Sequence, residues 1–221
     1  MWAGSTAGPV APPGTYRVRL TAGGQTQTQT FEVKKDPRSS AMTADLAQQF
    51  EFLLQIRDRV SQANDAVKTI RNARWQVDER LSKLRGADSA RVAALGATMR
   101  ARLGAVEETI YQVRNQSNQD PLNYPIRLNN EIAALTGHVA SAEAKPTAQS
   151  RQVFAELSAR LDTQLALLER EMAATLAPVN AELTRLGQVA IAPQPVDPPR
   201  ASATEADAGS GDDATEGEEE H

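Results

Sequence analysis

The fold is decided by residues 43–85, which read TADLAQQFEFLLQIRDRVSQANDAVKTIRNARWQVDERLSKLR. Apolar side chains recur there every three or four residues, with one interruption at Arg74, and this spacing predicts a single amphipathic helix. The apolar positions are Leu46, Phe50, Leu53, Ile56, Val60, Ala63, Val67, Ile70, Val77, Leu81 and Leu84. At about 1.5 Å per residue this helix would be roughly 65 Å long, so comparably long partners must cover its apolar stripe.

Three more helices are predicted after the first one. Ser89 can cap a second helix that reaches about Gln116. Pro125 suits the first turn of a short third helix, and Thr147 can cap a long fourth helix. Because Pro178 lies inside the fourth helix and has no N–H, we expect it to kink that helix or end it early.

Two arrangements of these helices fit the predicted lengths. In the first, which we favour because the nine-residue loop 117–125 is long enough to reverse the chain, four helices run up and down in turn. In the second, the second and third helices form one broken rod between the two long helices. Either way the fold class is mainly α, an antiparallel bundle of long helices with four helices of which the third is short.

Residues 14–34 are typical of a β-hairpin. Tyr16, Val18 and Leu20 alternate with arginines before the turn at Gly23-Gly24, and a Thr-rich strand follows. A lone two-stranded hairpin is only marginally stable in water. We therefore expect the hairpin either to pack on the helices or to belong to an incomplete Ig-like sheet whose other strands are not in this chain.

The chain divides into three parts by composition. Residues 1–38 contain the hairpin, residues 39–188 form the helical bundle, and residues 189–221 are Pro-rich and then acidic, which predicts a disordered tail. Eight acidic residues and no Lys or Arg lie between positions 205 and 220, so the rest of the chain carries 24 basic and 20 acidic residues. That balance is too mild to predict nucleic-acid binding.

Several function classes find no support in the sequence. There is no Cys for thiolate or disulfide chemistry. No apolar run approaches the ~20 residues of a membrane span, and the first eight residues lack the basic start and apolar core of a signal peptide. The sequence itself gives no localisation.

We predict no catalytic residue, no cofactor and no metal site. His138 is the one internal histidine, and Leu135 stands three residues before it, where a di-metal bundle would need Glu. The neighbouring acids Glu107 and Glu108 point about 100° apart on a helix, so we expect both on the solvated face. No Ser or Thr has a His at a motif spacing, which leaves nucleophilic catalysis without a base.

Two features are candidates for an interaction surface. Arg74 and Trp75 interrupt the stripe of the first helix, which indicates either a partner contact through Trp75 or an Arg at a layer edge. A second group surrounds the predicted start of the third helix and consists of Asn123, Tyr124, Arg127, Asn129 and Asn130. It could form a recognition surface, or it could cap the helix and tie the loop to its neighbours, which is the interpretation we favour.

Several stretches resemble a known family. Residues 11–20 (APPGTYRVRL), 23–29 (GGQTQTQ) and 31–38 (FEVKKDPR) are similar to the end of the Ig-like sandwich that follows the β-propeller in bacterial sortilin-like, BNR-repeat "glycosyl hydrolase" proteins. Residues 119–130 (QDPLNYPIRLNN) and 146–150 (PTAQS) resemble the helical C-terminal region of the same proteins. The resemblance covers about residues 8–187. It implies the C-terminal piece of a larger secreted or cell-envelope protein, with Met1 as an internal or misannotated start.

The function expected from all of this is that of a non-catalytic structural or protein-interaction module. Since the propeller is absent from these residues, no catalytic residue of the family can be assigned here. The partner is expected to be a protein, either the chain's own upstream domains or another chain, and not nucleic acid. Two alternatives stay open, namely a homo-oligomeric coiled-coil assembly domain and an accessory part of a glycosyl hydrolase-like enzyme.

Overall fold

The computed structural model describes residues 8–117 and 119–196. Two strands come first, β1 (Gly14–Ala22) and β2 (Gln25–Val33), and four helices follow. The helices are α1 (Thr43–Ser82), α2 (Gly86–Ile110), α3 (Leu128–Val139) and α4 (Ala148–Arg185), with a single 3₁₀ turn at Asp120–Leu122 before α3. The expected mainly α-helical fold, with a short third helix and a β-hairpin, is therefore confirmed.

Local signals set both ends of α4. The Thr147 hydroxyl accepts a hydrogen bond from the Ser150 N–H at 3.1 Å, which confirms the expected cap. At the other end Gly187 has φ +69°, and the N–H of Gln188 donates to the Leu183 carbonyl at 2.8 Å. This is a Schellman arrangement, and it turns the chain sharply after the helix.

Helix α2 begins and ends earlier than expected. It starts three residues before Ser89, which does not cap it, and it ends at Ile110 rather than near Gln116. The Gln112 side chain accepts a hydrogen bond from the Arg114 N–H at 3.2 Å. This local side-chain contact competes with the helical pattern and gives the physical reason for the earlier end.

The expectation for Pro125 was wrong, and so was one of the two alternatives for Pro178, an early end of the fourth helix. Pro125 does not open α3, which begins at Leu128, because the Pro125 carbonyl is bound by the Gln112 side chain at 2.8 Å and is held outside the helix. Pro178 does not end α4, which continues to Arg185. Its ring is on the exposed side of the helix, where the loss of one main-chain hydrogen bond is tolerated.

The favoured up-and-down order of four helices is also wrong, because α3 runs in the same direction as α2. The contacts that fix these directions are Asp78–Arg100, Arg71–Glu107, Asn64–Asn129 and Gln49–Val139, in which the first number falls as the second rises. Thus α2 lies antiparallel to the second half of α1, and α3 lies antiparallel to its first half. The two shorter helices, with 25 and 12 residues, form one broken rod that matches the 40 residues of α1.

Helix α4 completes a bundle of three rods. The rings of Phe52 in α1 and Phe154 in α4 meet edge to face at 5.2 Å. Further along, Arg59 of α1 forms a 2.7 Å ion pair with Asp162 of α4. The residue numbers rise together, so α4 is parallel to α1 and antiparallel to the broken rod.

The core is narrow and consists almost entirely of aliphatic side chains. Most of the expected stripe of α1 is buried, as are the apolar residues of the other helices that face it. At Gly96 in α2, an added Cβ would lie 2.8 Å from Cγ1 of Val77 in α1. A side chain at this position would force Val77 to shift, so glycine lets the two helices pack closely here.

The hairpin stands apart from this core. Its strands pair with Tyr16 opposite Phe31, and the two-residue turn has φ +56° at Gly23 and +76° at Gly24, as a type I′ turn requires. Neither strand packs on a helix, and within the described ranges no third strand joins the sheet. The expectation that the hairpin packs on the helices is therefore not met.

Residues 188–196 depart from the expected tail. The prediction of disorder from residue 189 is wrong for residues 189–196, which extend back along the bundle with Ile191 only 3% exposed. The Asn180 side chain binds the main chain of Ile191 at 2.7 and 3.0 Å, which is the physical reason for this placement. The acidic stretch of the tail lies outside the residues described.

Candidate functional site

The five polar residues around the start of α3 do not form one surface. Asn123 and Arg127 are exposed and Tyr124 is half-buried, whereas Asn129 and Asn130 are buried in the first turn of α3. The structure thus divides the group into an outer part in the loop and an inner part against α1.

The inner part ties α3 to α1. Asn129 Nδ2 donates to Asn64 Oδ1 at 3.2 Å, and Asn129 Oδ1 accepts from the Asn130 N–H at 2.8 Å. The Asn130 Oδ1 atom is buried and has no hydrogen-bond partner among the residues described. These contacts link α3 to α1. The expected capping of α3 by this group is not found, because the side chain of the N-cap residue, Arg127, makes no capping hydrogen bond.

The loop before α3 is organised by Asp120. Its carboxylate accepts hydrogen bonds from the N–H and the hydroxyl of Ser117, both at 2.8 Å. Hydrogen bonds from the main-chain N–H groups of Gln116 and Ser117 lower the pKa of Asp120. The Arg114 guanidinium lies over the Tyr124 ring, with its Cζ atom 5.7 Å from the centre of that ring. The loop therefore has its own internal contacts.

The interruption of the α1 stripe has a structural cause. Arg74 and Arg71 both bind the carboxylate of Glu107, which is buried in α2, and the Arg71 contact measures 2.7 Å. The expectation that Glu107 lies on the solvated face with Glu108 is wrong for Glu107, because two arginines of α1 compensate its charge. Trp75, beside this cluster, is 37% exposed.

One face of the hairpin exposes more apolar side chain than any other helix or strand in the described part of the chain. Tyr16, Val18, Leu20 and Phe31 lie on this face, which we call the apolar hairpin face, together with Gln29 and Gln27, which stand opposite Val18 and Leu20. The exposed fractions are 53% for Val18, 67% for Leu20 and 50% for Phe31. Strand alternation in the sequence was the signal for this face, although our candidate site residues did not include it.

The opposite face of the hairpin is polar. It carries Arg17 opposite Thr30 and Arg19 opposite Thr28. The outer edges of both strands have no strand partner in the residues described. The hairpin is thus amphipathic in the way that a sheet is when one side packs and the other meets water.

The connection between hairpin and bundle is held in place. Lys35 Nζ donates to the carbonyls of Ser39 and Ala41 at 2.9 Å each, which fixes the turn into α1. Beside it, a cleft of about 870 Å³ separates residues 8–13 and the end of β2 from the start of α1 and the end of α3. Its lining is mainly apolar and includes Pro9, Val10, Val33, Leu46 and Phe50.

Over the described ranges, no group of three or more His, Asp and Glu is close enough to hold a metal ion. No helix in those ranges is long and apolar enough to cross a membrane. Comparisons with models of known protein families, with curated proteins and with solved structures gave no match. Function is therefore argued from this geometry.

Proposed function

We propose that this chain is a non-catalytic protein-interaction module, in which the helical bundle is a rigid support and the β-hairpin is the docking element. The observation that carries the proposal is the apolar hairpin face, on which Val18, Leu20 and Phe31 are at least half exposed, while Tyr16 is half-buried and donates its hydroxyl to the Pro12 carbonyl. Monomeric proteins rarely leave such apolar residues side by side on a regular surface without using them.

The expected partner is a β-sheet that packs on this face or extends the hairpin. Full burial of a Val, Leu or Phe side chain contributes roughly 1.5–3 kcal/mol, so Val18, Leu20 and Phe31 together can support a stable contact. The free strand edges offer main-chain hydrogen bonds to a further strand. Because Arg17 and Arg19 occupy the other face, only one side of the hairpin is suited to being covered.

The resemblance to sortilin-like, BNR-repeat proteins suggests where this sheet comes from. In such a protein the hairpin would be the end of an Ig-like sandwich, and the apolar hairpin face would pack on the rest of that sandwich. The chain would then be the C-terminal part of a secreted or cell-envelope protein, and any glycoside chemistry would belong to the propeller. Another chain that presents a β-sheet is the second source of the same contact.

We do not propose assembly through a coiled coil, because the apolar stripe of α1 is already buried by α2, α3 and α4. Residues such as Ile56, Ile70 and Val77 are fully covered within the chain. A second copy would have to displace these contacts before it could use the same stripe.

The proposal can be tested by placing a photocrosslinking amino acid in the full chain, in the cells that produce it. We expect a crosslink when it replaces Leu20, with the attached residues mapping to a β-strand of another domain or chain. The matched control replaces Arg19, the neighbour on the polar face, and should give at most a trace. Equal crosslinking at the two positions, or none at Leu20, would refute the hairpin as the docking element.

A further inference from the structure

The cleft beside the start of α1 has the size of a small-molecule site. Its volume of about 870 Å³ lies within the range of roughly 300–1,000 Å³ that is usual for ligand pockets. Its walls come from four parts of the chain, namely residues 8–13, the end of β2, the start of α1 and the end of α3. The residues of the apolar hairpin face do not line it, so the cleft is independent of the docking surface proposed above.

The floor of the cleft is a part of the α1 stripe that the other helices leave half-covered. Helix α3 ends at Val139, whose carbonyl accepts a 2.6 Å hydrogen bond from Gln49 of α1. Near this end of the stripe Leu46 and Phe50 are half-buried, whereas the next stripe residue, Leu53, is only 6% exposed. An apolar ligand in the cleft would remove more of the Leu46 and Phe50 side chains from water.

Two lysines directly after β2 give the cleft positive charge. Lys35 Nζ donates to the carbonyls of Ser39 and Ala41 at 2.9 Å each, which holds the ammonium in place and uses two of its three N–H groups. Lys34 also lines the cleft, and its side chain is exposed. Among the described residues, no carboxylate forms an ion pair with either lysine. The fixed ammonium of Lys35 therefore has one N–H left for a ligand.

The other polar residues of the lining leave this positive charge in place. Asp36 is paired with Arg38 at 2.7 Å, and Glu143 is exposed in the segment after α3. With Asp36 neutralised by Arg38, the two lysines exceed the single remaining acid. Gln49 Nε2 already donates to the carbonyls of Val139 and Ala142 at 2.6 Å each. The lysines are thus the groups best suited to an anionic ligand.

From this arrangement we infer that the cleft binds a small amphipathic carboxylate of the fatty-acid class. Its apolar chain lies on Leu46 and Phe50, and its carboxylate accepts a hydrogen bond from the third N–H of Lys35. Lys34 adds a second positive charge from the solvent side. Because the walls belong to the hairpin region and to two helices, the bound ligand contacts both parts of the molecule at once.

The first test uses the full unmodified chain and isothermal titration calorimetry with octanoate, 1-octanol and acetate, below the concentration at which micelles form. We expect octanoate to bind at least about tenfold more tightly than 1-octanol, because only the carboxylate makes a charge-assisted hydrogen bond. Acetate lacks the apolar chain and should show no measurable binding. Equal affinity for octanoate and 1-octanol, or no binding of octanoate, would overturn the inference.

Variants then locate the site. Leu46→Gln should weaken octanoate binding at least about tenfold, and Leu20→Gln, the same change on the apolar hairpin face, should bind octanoate as the unmodified chain does. Equal losses in the two variants, or none in either, would overturn the placement in the cleft. Far-UV circular dichroism checks that Leu46→Gln keeps its helices. If it does not, the comparison of octanoate with 1-octanol on the unmodified chain decides.

Charge is tested in the same way. Replacing both Lys34 and Lys35 with Gln should lower the affinity for octanoate to that for 1-octanol. The matched control replaces Arg17 and Arg19 on the polar face of the hairpin with Gln, which removes the same charge and should leave octanoate binding unchanged. If both double variants lost affinity equally, the carboxylate would be responding to overall charge and not to the cleft, which would contradict the inference.

Discussion

At the scale of single residues, the bundle is specified by a few exceptions to its aliphatic pattern. Glu107 is a buried acid that is stabilised by Arg71 and Arg74, and Gly96 permits the close contact with Val77. The sequence indicated the buried Glu107 cluster only indirectly, because Arg74 stands where the apolar pattern of α1 would place an apolar residue. It could not show which acid compensates Arg74, because that acid lies on another helix, 33 residues away.

Replacing Glu107 with Ala should destabilise the protein by about 3 kcal/mol, because two arginines lose their carboxylate in a partly buried position. Glu108→Ala removes the neighbouring acid, which is exposed, and should change the free energy of unfolding by less than about 0.5 kcal/mol. Urea unfolding followed by circular dichroism measures both. Similar losses for the two variants would contradict the buried ion cluster.

The contact at Gly96 predicts opposite effects of the same substitution at two helical glycines. Gly96→Ala should cost about 1–3 kcal/mol, since its Cβ would lie 2.8 Å from Val77 Cγ1. Gly137→Ala in α3 has no atom within 4 Å of the new Cβ and should stabilise by about 0.5–1 kcal/mol through helix propensity. Thermal melts of the two variants would show Tm moving in opposite directions. A stabilised Gly96→Ala would mean that α1 and α2 lie further apart.

At the scale of elements, the long helices and the hairpin followed from local patterns, whereas the segments between them did not. The periodicity of residues 43–85 predicted α1, and Thr147 predicted the start of α4. The order of residues 189–196 was missed because Pro-rich composition is typical of disorder, and their placement depends on Asn180 and Gln76, which lie elsewhere in the chain. The early end of α2 was missed for a similar reason, since it depends on one glutamine side chain.

The hairpin should be the least protected regular element of the isolated chain. Since no other strand or helix of the described ranges covers it, its main-chain hydrogen bonds are open to water, and a two-stranded hairpin is marginally stable. Hydrogen exchange with mass spectrometry should show residues 14–33 exchanging orders of magnitude faster than the buried middle of α1.

Gly24→Ala tests the same element through its turn. A residue with a side chain at φ +76° costs roughly 1–2 kcal/mol, so the hairpin should exchange faster still. The Tm of the bundle should not change, because no strand packs on a helix. If the hairpin amides exchanged as slowly as those of α1, the hairpin would have to be covered, which would contradict its exposed position.

At the scale of the whole molecule, the direction of α3 is the feature that local sequence could not decide. The loop between α2 and α3 is long enough either to reverse the chain or to let it continue. The outcome depends on the partners, because α1 and α4 have 40 and 38 residues and need a third rod of similar length along their whole stripe. Helices α2 and α3 placed end to end supply that rod, whereas a reversed α3 would leave half of the stripe uncovered.

This arrangement predicts a long distance between the start of α2 and the end of α3. The chain has no Cys, so spin labels can be placed at Ala87→Cys and His138→Cys without further changes. At about 1.5 Å per residue, two helices in line put these positions roughly 50 Å apart or more, whereas a reversed α3 would bring them to about 20 Å. Ala87→Cys with Thr184→Cys is the control, since the nearby Asp88–Arg185 ion pair, 2.7 Å long, places those labels close together. Pulsed electron spin resonance measures both distances. A distance of about 20 Å between positions 87 and 138, with the control pair also close, would refute the broken rod.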